Sequence, residues 1–321
     1  MSDFPDRGQM SAAINSARRE LMRTLLFLTE QETTEITLHQ DWNVRDVFSH
    51  ITARECTALV AVRHLVEDGD PCFRDPVDEI EFNRSAVRRR QDFPADSVLD
   101  ELDGIRRQLL GYLEELPDAD LYRTFPIGRT SQEQSVAVVL QSLGSHDLEH
   151  AEGLWHWRLD HDLLRRDDFR ESIIIARTDL LDSLGGLTEE IMLGETVCGH
   201  WTTRDVMAHV LSWDELMLHS AEHWQGGRSG QRQVRYDDEW NEAEVEKRSN
   251  LDVIALADGL ATSLRKMVML FNAVDDSDLI LMAPAPWGDQ MALISFFHEW
   301  AVHDDVHKPD LRQLQEASGI A

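Results

Sequence analysis

Histidine is the residue type in this sequence whose spacing could support chemistry. His146 and His150 form an H-x-x-x-H pattern beside apolar residues. In a helix the two residues lie about 40° apart around the axis and roughly 6 Å apart along it, so both imidazoles can face one ion. His50, on a neighbouring helix, would complete a three-ligand set. Such a set leaves coordination positions open for water or substrate, as catalytic rather than structural metal sites do.

The same three histidines occur twice in the chain. The frame W-x-x-R-D-V-x-x-H around His50 recurs around His209, 159 residues later, with five identities in nine positions. An E-[FW]-N triplet recurs 158 residues later, and H-x-x-x-H recurs 157 residues later as His303 and His307. Three anchors in the same order, drifting by only two residues, indicate an internal duplication.

Two interpretations of these histidines are open. Buried histidines that are held by hydrogen bonds alone would explain a single H-x-x-x-H pattern. The retention of all three histidines in both halves, while most intervening residues differ, favours metal binding. The predicted metal ligands are His50, His146 and His150 in the first half and His209, His303 and His307 in the second. The sequence predicts no catalytic residue beyond them.

Helices must position these residues, because apolar residues recur at three- and four-residue steps in both halves. The predicted helices cover 10–29, a segment after Trp42, 94–116 and 134–157, then 168–187, a segment after Trp201, 250–274 and 290–306, with Pro309 marking the last end. Asn43 and Thr202 are the expected N-caps of the helices that carry the first histidines. Long connections after these helices favour a crossover. We therefore predict an all-α protein of two tandem four-helix bundles, with domains at 1–162 and 163–321.

Composition limits the partners of the protein. The formal net charge is −29, so the surface should repel nucleic-acid phosphates and anionic lipid. No apolar segment of membrane-spanning length or signal-peptide core is found, which predicts a cytoplasmic protein. Cys56, Cys72 and Cys198 form no C-x-x-C pair and no even framework, so we expect ordinary reduced thiols.

The repeated motifs resemble those of the DinB-like superfamily over nearly the whole chain, twice. This superfamily includes DinB/YfiT proteins, mycothiol-dependent maleylpyruvate isomerase and bacillithiol S-transferases. The resemblance implies that the six histidines bind a divalent metal, usually zinc or nickel, although imidazole ligands alone do not select the ion. It also implies a low-molecular-weight thiol as cosubstrate, with its pKa lowered at the metal. Single-domain members often form dimers, so the two bundles are expected to pair within one chain, with a homodimer as a further possibility.

Tryptophans and asparagines recur near the predicted ligands. Trp42 and Trp201 are expected to cover a bundle end as packing anchors. Asn83 and Asn241 are expected to cap or bond a helix terminus locally. The histidines without a counterpart in the other half are interpreted as ordinary, namely His156, His161, His219, His223 and His298.

Four carboxylates also lie near the predicted ligands in sequence. Glu55 and Asp214 follow the first histidines by five residues and could be general bases, with solvated surface as the favoured interpretation. Asp147 and Asp304 directly follow a predicted ligand and should point about 100° away from it. Ligation by these two aspartates is therefore not expected.

The predicted function is that of a metal-dependent enzyme that transfers a thiol to a small electrophilic metabolite, or hydrolyses it, in detoxification or stress. One alternative is a self-resistance protein that sequesters a reactive small molecule without turnover. Another is a structural tandem bundle with vestigial sites. The sequence contains no G-x-S-x-G, G-x-G-x-x-G or P-loop motif, so hydrolase-triad, dinucleotide and NTPase functions have no support.

Overall fold

The computed structural model describes residues 6–39, 41–69, 78–126, 133–225, 228–229 and 237–319. The chain divides into two compact units, Met1–Asp160 and His161–Ala321, called repeat 1 and repeat 2 below. Both units are helical bundles, and the strands among the described residues form only short antiparallel pairs. The all-α fold class predicted from the sequence is confirmed.

Repeat 1 is built on four long helices. In chain order its described elements are α1 (Arg7–Arg23), α2 (Glu30–Glu35), β1 (Thr37–His39), β2 (Trp42–Asn43), α3 (Val44–Asp68), α4 (Glu79–Arg90), α5 (Ala95–Glu115), α6 (Asp118–Leu121), β3 (Thr124–Pro126), β4 (Glu133–Ser135) and α7 (Val136–Asp160). Helix α3 packs against α5, and α1 packs against α7. Contacts between α3 and α7 join these two pairs into one bundle. Strand β1 pairs with β2, and β3 pairs with β4.

Repeat 2 has the same architecture. Its described elements are α8 (Arg166–Asp182), α9 (Glu189–Gly194), β5 (Thr196–Cys198), β6 (Trp201–Thr202), α10 (Thr203–Glu222), β7 (Trp224–Gln225), β8 (Arg228–Ser229), α11 (Asp238–Lys247), α12 (Val253–Ala273), α13 (Asp276–Leu279), β9 (Met282–Pro284), β10 (Gln290–Ala292) and α14 (Leu293–Ala317). Helix α10 packs against α12, and α8 packs against α14. The strands form the pairs β5–β6, β7–β8 and β9–β10.

The helices α3 and α10 begin as the sequence predicts. Asn43 caps α3 through its side-chain oxygen, which accepts from the backbone N–H of Asp46 at 3.0 Å, and the Asp46 carboxylate accepts from the Asn43 N–H in return. Thr202 and Asp205 form the same capping box at α10. This explains the aspartate of the W-x-x-R-D-V-x-x-H motif, because it satisfies an amide that the first helical turn leaves unpaired.

The first helix of each repeat is shorter than predicted. The prediction of one helix over 10–29 is wrong, since α1 ends at Arg23 and Phe27 adopts a left-handed conformation with φ of 63°. Thr29 then starts a second helix, α2, by accepting from the backbone N–H of Glu32. Repeat 2 behaves alike, because α8 ends at Asp182. Local capping therefore overrides an apolar periodicity that continues through the turn.

The last helix does not end before Pro309. Helix α14 continues through this proline to Ala317, so the predicted end is wrong. A proline removes one helical hydrogen bond, but contacts beyond it hold the chain in the helix. Leu311 is buried, and the Gln315 side chain donates to the Gly185 carbonyl at 2.7 Å.

A buried ion-pair cluster joins the four long helices of repeat 1. Arg18 of α1 donates to Asp147 of α7 at 3.0 Å and to Glu55 of α3 at 2.6 Å. Arg106 of α5 donates to the same two carboxylates and to the Ile14 carbonyl. Each long helix thus contributes one charged side chain to the cluster, which contains two positive and two negative groups.

Repeat 2 builds the equivalent cluster with one arginine. Arg177 of α8 donates to Asp214 of α10 at 2.6 and 2.8 Å and to Asp304 of α14 at 2.7 and 2.9 Å. Helix α12 contributes the Ser263 hydroxyl, which donates to Asp214, and the Leu260 carbonyl, which accepts from Arg177. One guanidinium here faces two carboxylates.

These clusters correct one prediction and agree with another. Glu55 and Asp214 are each about 1% exposed, so the interpretation as solvated surface is wrong. They are also paired with arginines, which makes them poor candidates for a general base. Asp147 and Asp304 point to the arginines and away from the neighbouring histidines, as their position in the helix predicts.

We expect Arg177→Met to lower the free energy of unfolding by about 3–5 kcal/mol, because it leaves two buried carboxylates without a cationic partner. Arg18→Met should cost clearly less, since Arg106 still donates to both carboxylates of repeat 1. Urea unfolding followed by circular dichroism measures both effects, with the exposed Arg107→Met as control. Equal losses for Arg18→Met and Arg177→Met would contradict the proposed importance of the second arginine.

Candidate metal centres

The two long helices that face each other in each bundle carry the predicted ligands. In repeat 1, α3 provides His50, and α7 provides the other two histidines. In repeat 2, α10 provides His209, and α14 provides the remaining pair. The structure brings all six predicted histidines into two clusters, His50 with His146 and His150, and His209 with His303 and His307. Within each cluster the candidate ligand nitrogens all lie within 4.8 Å of one another.

The triad of repeat 1 converges through its Nε2 atoms. His146 Nε2 lies 3.0 Å from His50 Nε2 and 3.1 Å from His150 Nε2. The three rings meet edge to face, with centroids 4.4 to 5.4 Å apart. Imidazoles that packed as apolar rings would not need to direct one nitrogen each at a common point.

The triad of repeat 2 has closely similar geometry. His303 Nε2 lies 3.2 Å from His209 Nε2. The ring centroids of His209, His303 and His307 are 4.9 to 5.2 Å apart. Two sites of the same construction therefore occur at equivalent positions of the two repeats.

The donor sets fit a divalent metal ion. Nitrogens that bind one ion tetrahedrally at about 2.0–2.1 Å are themselves about 3.3 Å apart, close to the observed Nε2 separations. In repeat 1, His50 Nδ1 lies 2.9 Å from Asn83 Oδ1, which can only accept, so the His50 proton is on Nδ1. The lone pair on His50 Nε2 then points at the other two rings, where a shared cation would satisfy all three nitrogens.

Asn83 contacts a candidate metal ligand, which was not predicted from the sequence. It lies in the first turns of α4 and reaches His50 on α3, so the prediction of a local helix-terminus role is wrong. A partner on the outer nitrogen fixes the tautomer and ring orientation of a metal ligand. The recurrence of the E-[FW]-N triplet in both halves was the sequence feature that could have indicated a role for this asparagine.

The equivalent contact is absent in repeat 2. His209 Nδ1 and Asn241 Oδ1 are both buried, and neither has a hydrogen-bond partner among the described residues. No hydrogen bond to this nitrogen from the described residues therefore fixes the ring orientation and tautomer of His209. The two sites share their ligands and differ in the support of the first histidine.

Burial keeps the imidazoles in the neutral form that binds metal. Desolvation, followed by the neighbouring histidines, lowers the pKa of His146 to about 2. Burial likewise lowers the pKa of His150 to about 4 and that of His209 to about 3. These imidazoles are therefore neutral at neutral pH, and their ring nitrogens can offer lone pairs to a metal ion.

Other residues singled out in the sequence surround the triads or lie apart from them. The Trp42 ring is 5.7 Å from His50, and the Trp201 ring is 4.9 Å from His209, so both partly exposed indoles lie against a candidate ligand. Cys56 and Cys198 are free thiols, and Cys72 lies outside the described residues. The histidines interpreted as ordinary are outside both triads, namely His156, His161, His219, His223 and His298.

Comparison with known proteins places the chain in a family. A family model described as the mycothiol maleylpyruvate isomerase N-terminal domain matches residues 14–147 and again residues 175–305. The protein therefore belongs to this DinB-like family, and each half of the chain matches the family model once. It is also similar to the uncharacterized protein YuaE of Bacillus subtilis (strain 168), with 25% identity over 151 residues that cover 42% of this chain and 89% of YuaE.

No solved structure matches the chain. Each family match lies within one repeat, so the resemblance noted in the sequence is confirmed for both halves. Among the residues that the structure describes, no helix is both long enough and apolar enough to cross a membrane.

Asn83→Ala is expected to weaken metal affinity in repeat 1 by about 10- to 100-fold, because His50 loses the acceptor that fixes its tautomer. Asn241→Ala should have a smaller effect, since Asn241 makes no such bond to His209. Chelator competition measures the affinities, with His303→Ala or His146→Ala present so that one site is titrated at a time. Unchanged affinity in repeat 1 would show that Asn83 does not position His50, and an equal loss at both sites would contradict the difference between Asn83 and Asn241.

Proposed function

We propose that the protein is a metal-dependent enzyme in which each histidine triad holds one divalent ion, zinc or nickel. In this proposal it transfers a low-molecular-weight thiol to a small electrophilic metabolite, or hydrolyses such a metabolite, in detoxification or stress. The observation that carries the proposal is the convergence of three neutral imidazoles, built alike in both repeats.

The geometry favours metal binding over packing by hydrogen-bonded histidines. His146 Nε2 has one proton at most and faces two ring nitrogens at hydrogen-bond distance, so it cannot satisfy both as a donor. In repeat 2, His303 Nε2 faces His209 Nε2 at hydrogen-bond distance, and the candidate ligand nitrogens of the three histidines lie within 4.8 Å of one another. Histidines in a core held by hydrogen bonds would instead pair with carbonyls, hydroxyls or carboxylates.

Three protein ligands leave room for chemistry at the ion. When bound, a divalent ion lowers the pKa of a coordinated thiol or water, which makes a nucleophile available at neutral pH. The residues of the chain hold the imidazoles neutral by burial, and Asn83 orients His50. Glu55 and Asp214 are held by arginines in the bundle interior and are not assigned a proton-transfer role.

The family supports a thiol as cosubstrate. The matching family model is described by mycothiol maleylpyruvate isomerase, an enzyme named for a low-molecular-weight thiol and a small unsaturated acid. A net charge of −29 supports a small molecule, rather than nucleic acid or an anionic membrane, as the partner. We place the protein in the cytoplasm, where such thiols are kept reduced.

The central test uses one alanine substitution in each triad. The native protein is expected to bind two equivalents of zinc or nickel, His146→Ala and His303→Ala one each, and the double variant none. Helicity should stay unchanged, because the bundle core does not depend on one ligand. Elemental analysis of untagged protein and circular dichroism give these values, with the exposed His156→Ala as control.

Thiol-dependent consumption of an electrophile is measured on the same variants. Activity should fall in step with metal content if the protein is an enzyme. Full metal content in the double variant would refute the assignment of the triads. Stoichiometric capture of the electrophile without turnover, by fully loaded protein, would favour sequestration instead.

A further inference from the structure

The residue one helical turn after the first histidine differs between the two repeats. In repeat 1 the residue four positions after His50 is Arg54, and in repeat 2 the residue four positions after His209 is Trp213. Residues four apart lie on the same face of a helix, so both side chains stand beside their triad. The two sites thus combine equivalent ligands with a cationic neighbour in one repeat and an aromatic neighbour in the other.

Trp213 forms part of an aromatic wall in repeat 2. Its ring lies 5.3 Å from the ring of His303 and 6.4 Å from that of His209. Trp240 of α11 contacts it at 5.4 Å, and Trp287 of the β9–β10 connection contacts it at 5.8 Å. Trp213 is buried, whereas Trp240 and Trp287 are partly exposed. Aromatic surface therefore extends from the triad towards solvent.

The wall continues beyond these three indoles. Trp287 stacks on Phe296 with an angle of 22° between the rings, and Phe296 contacts Trp224 at 5.1 Å. Stacked and edge-on rings of this kind hold one another in place and offer faces to a flat apolar group. The position equivalent to Trp240 in repeat 1 is Phe82, whereas Phe296 corresponds to Val139 and Trp213 corresponds to Arg54. Of these three positions, the one next to the first histidine differs most, since it exchanges an aromatic ring for a positive charge.

Arg54 gives the site of repeat 1 a positive charge. Its guanidinium donates to Glu79 at 2.9 Å through Nη1, and its side chain remains 44% exposed. Arg54 lies one helical turn after His50 on α3, so its side chain leaves the helix on the same face as the candidate ligand. A guanidinium has five N–H donors, so it can bind a carboxylate of a ligand while retaining Glu79.

We propose that the two sites take ligands of different chemistry, with Arg54 and Trp213 as the residues that determine specificity. The site of repeat 1 takes a ligand with a negatively charged group such as a carboxylate. The site of repeat 2 takes a ligand with an aromatic or other flat apolar group. This inference rests on the proposed function, because it requires an ion in each triad.

The test uses two probes that chelate a metal ion through the same group and differ only in their tails. Benzohydroxamate carries a phenyl ring, and succinate monohydroxamate carries a carboxylate. The full chain with His303→Ala reports on repeat 1, and the full chain with His146→Ala reports on repeat 2. Each is loaded with Co²⁺, and the change in visible absorption on titration gives the dissociation constant of each probe.

We expect repeat 1 to prefer succinate monohydroxamate and repeat 2 to prefer benzohydroxamate. Arg54→Leu should weaken binding of the carboxylate probe to repeat 1 by about tenfold, because a charge-assisted hydrogen bond is lost. Trp213→Leu should weaken binding of the phenyl probe to repeat 2 by about fivefold, because an aromatic contact is lost. Arg54→Lys and Trp213→Phe, which keep the charge and the ring, should retain most of each preference.

The same ratio of dissociation constants in both repeats would overturn the inference, as would ratios unaffected by Arg54→Leu and Trp213→Leu. A repeat that fails to bind Co²⁺ would refute the proposed function itself, before any probe is added. The substitution Arg54→Trp gives repeat 1 the residue found at the equivalent position of repeat 2. We expect this variant to bind benzohydroxamate more tightly at repeat 1. Circular dichroism on each variant confirms that the bundle is folded.

Discussion

The buried ion pairs at the centre of each bundle are the constraint on which the sites depend. A guanidinium buried in an apolar interior needs anionic partners, so the helices that supply its carboxylates are held at a fixed rotation and height. Asp147 directly follows His146, and Asp304 directly follows His303. Pairing the aspartate on one face of the helix therefore aims the preceding histidine at the opposite helix. The same arginine–aspartate pairs therefore hold the helices together and orient the candidate ligands.

The two repeats build their buried clusters from different numbers of charged side chains. Repeat 1 balances two arginines against two carboxylates, whereas repeat 2 sets Arg177 against two carboxylates and adds the Ser263 hydroxyl. Burial raises the pKa of Asp304 to about 6 despite the opposing effect of Arg177. The ligand geometry is nevertheless alike in the two repeats. One well-placed guanidinium is thus enough to orient both helices.

The sequence predicted the features that depend on local spacing. The duplication, the helical class, the N-caps at Asn43 and Thr202 and the grouping of the histidines all follow from patterns within one helix or between repeats. The burial of Glu55 and the contact of Asn83 with His50 were not predicted, because each depends on a partner distant in the chain. The end of the last helix at Pro309 was predicted wrongly for a similar reason, because tertiary contacts stabilise a helix that local propensity would end.

Each repeat supplies every imidazole of its triad and every charge of its cluster from its own helices. In evolutionary terms, a substitution beside one triad leaves the ligands and the anchoring pairs of the other untouched. A single bundle that changed the neighbour of its metal ligand would exchange one specificity for another. A duplicated chain can keep the old surroundings in one half while the other half drifts, and the asymmetry between Arg54 and Trp213 is the kind of divergence that such freedom permits.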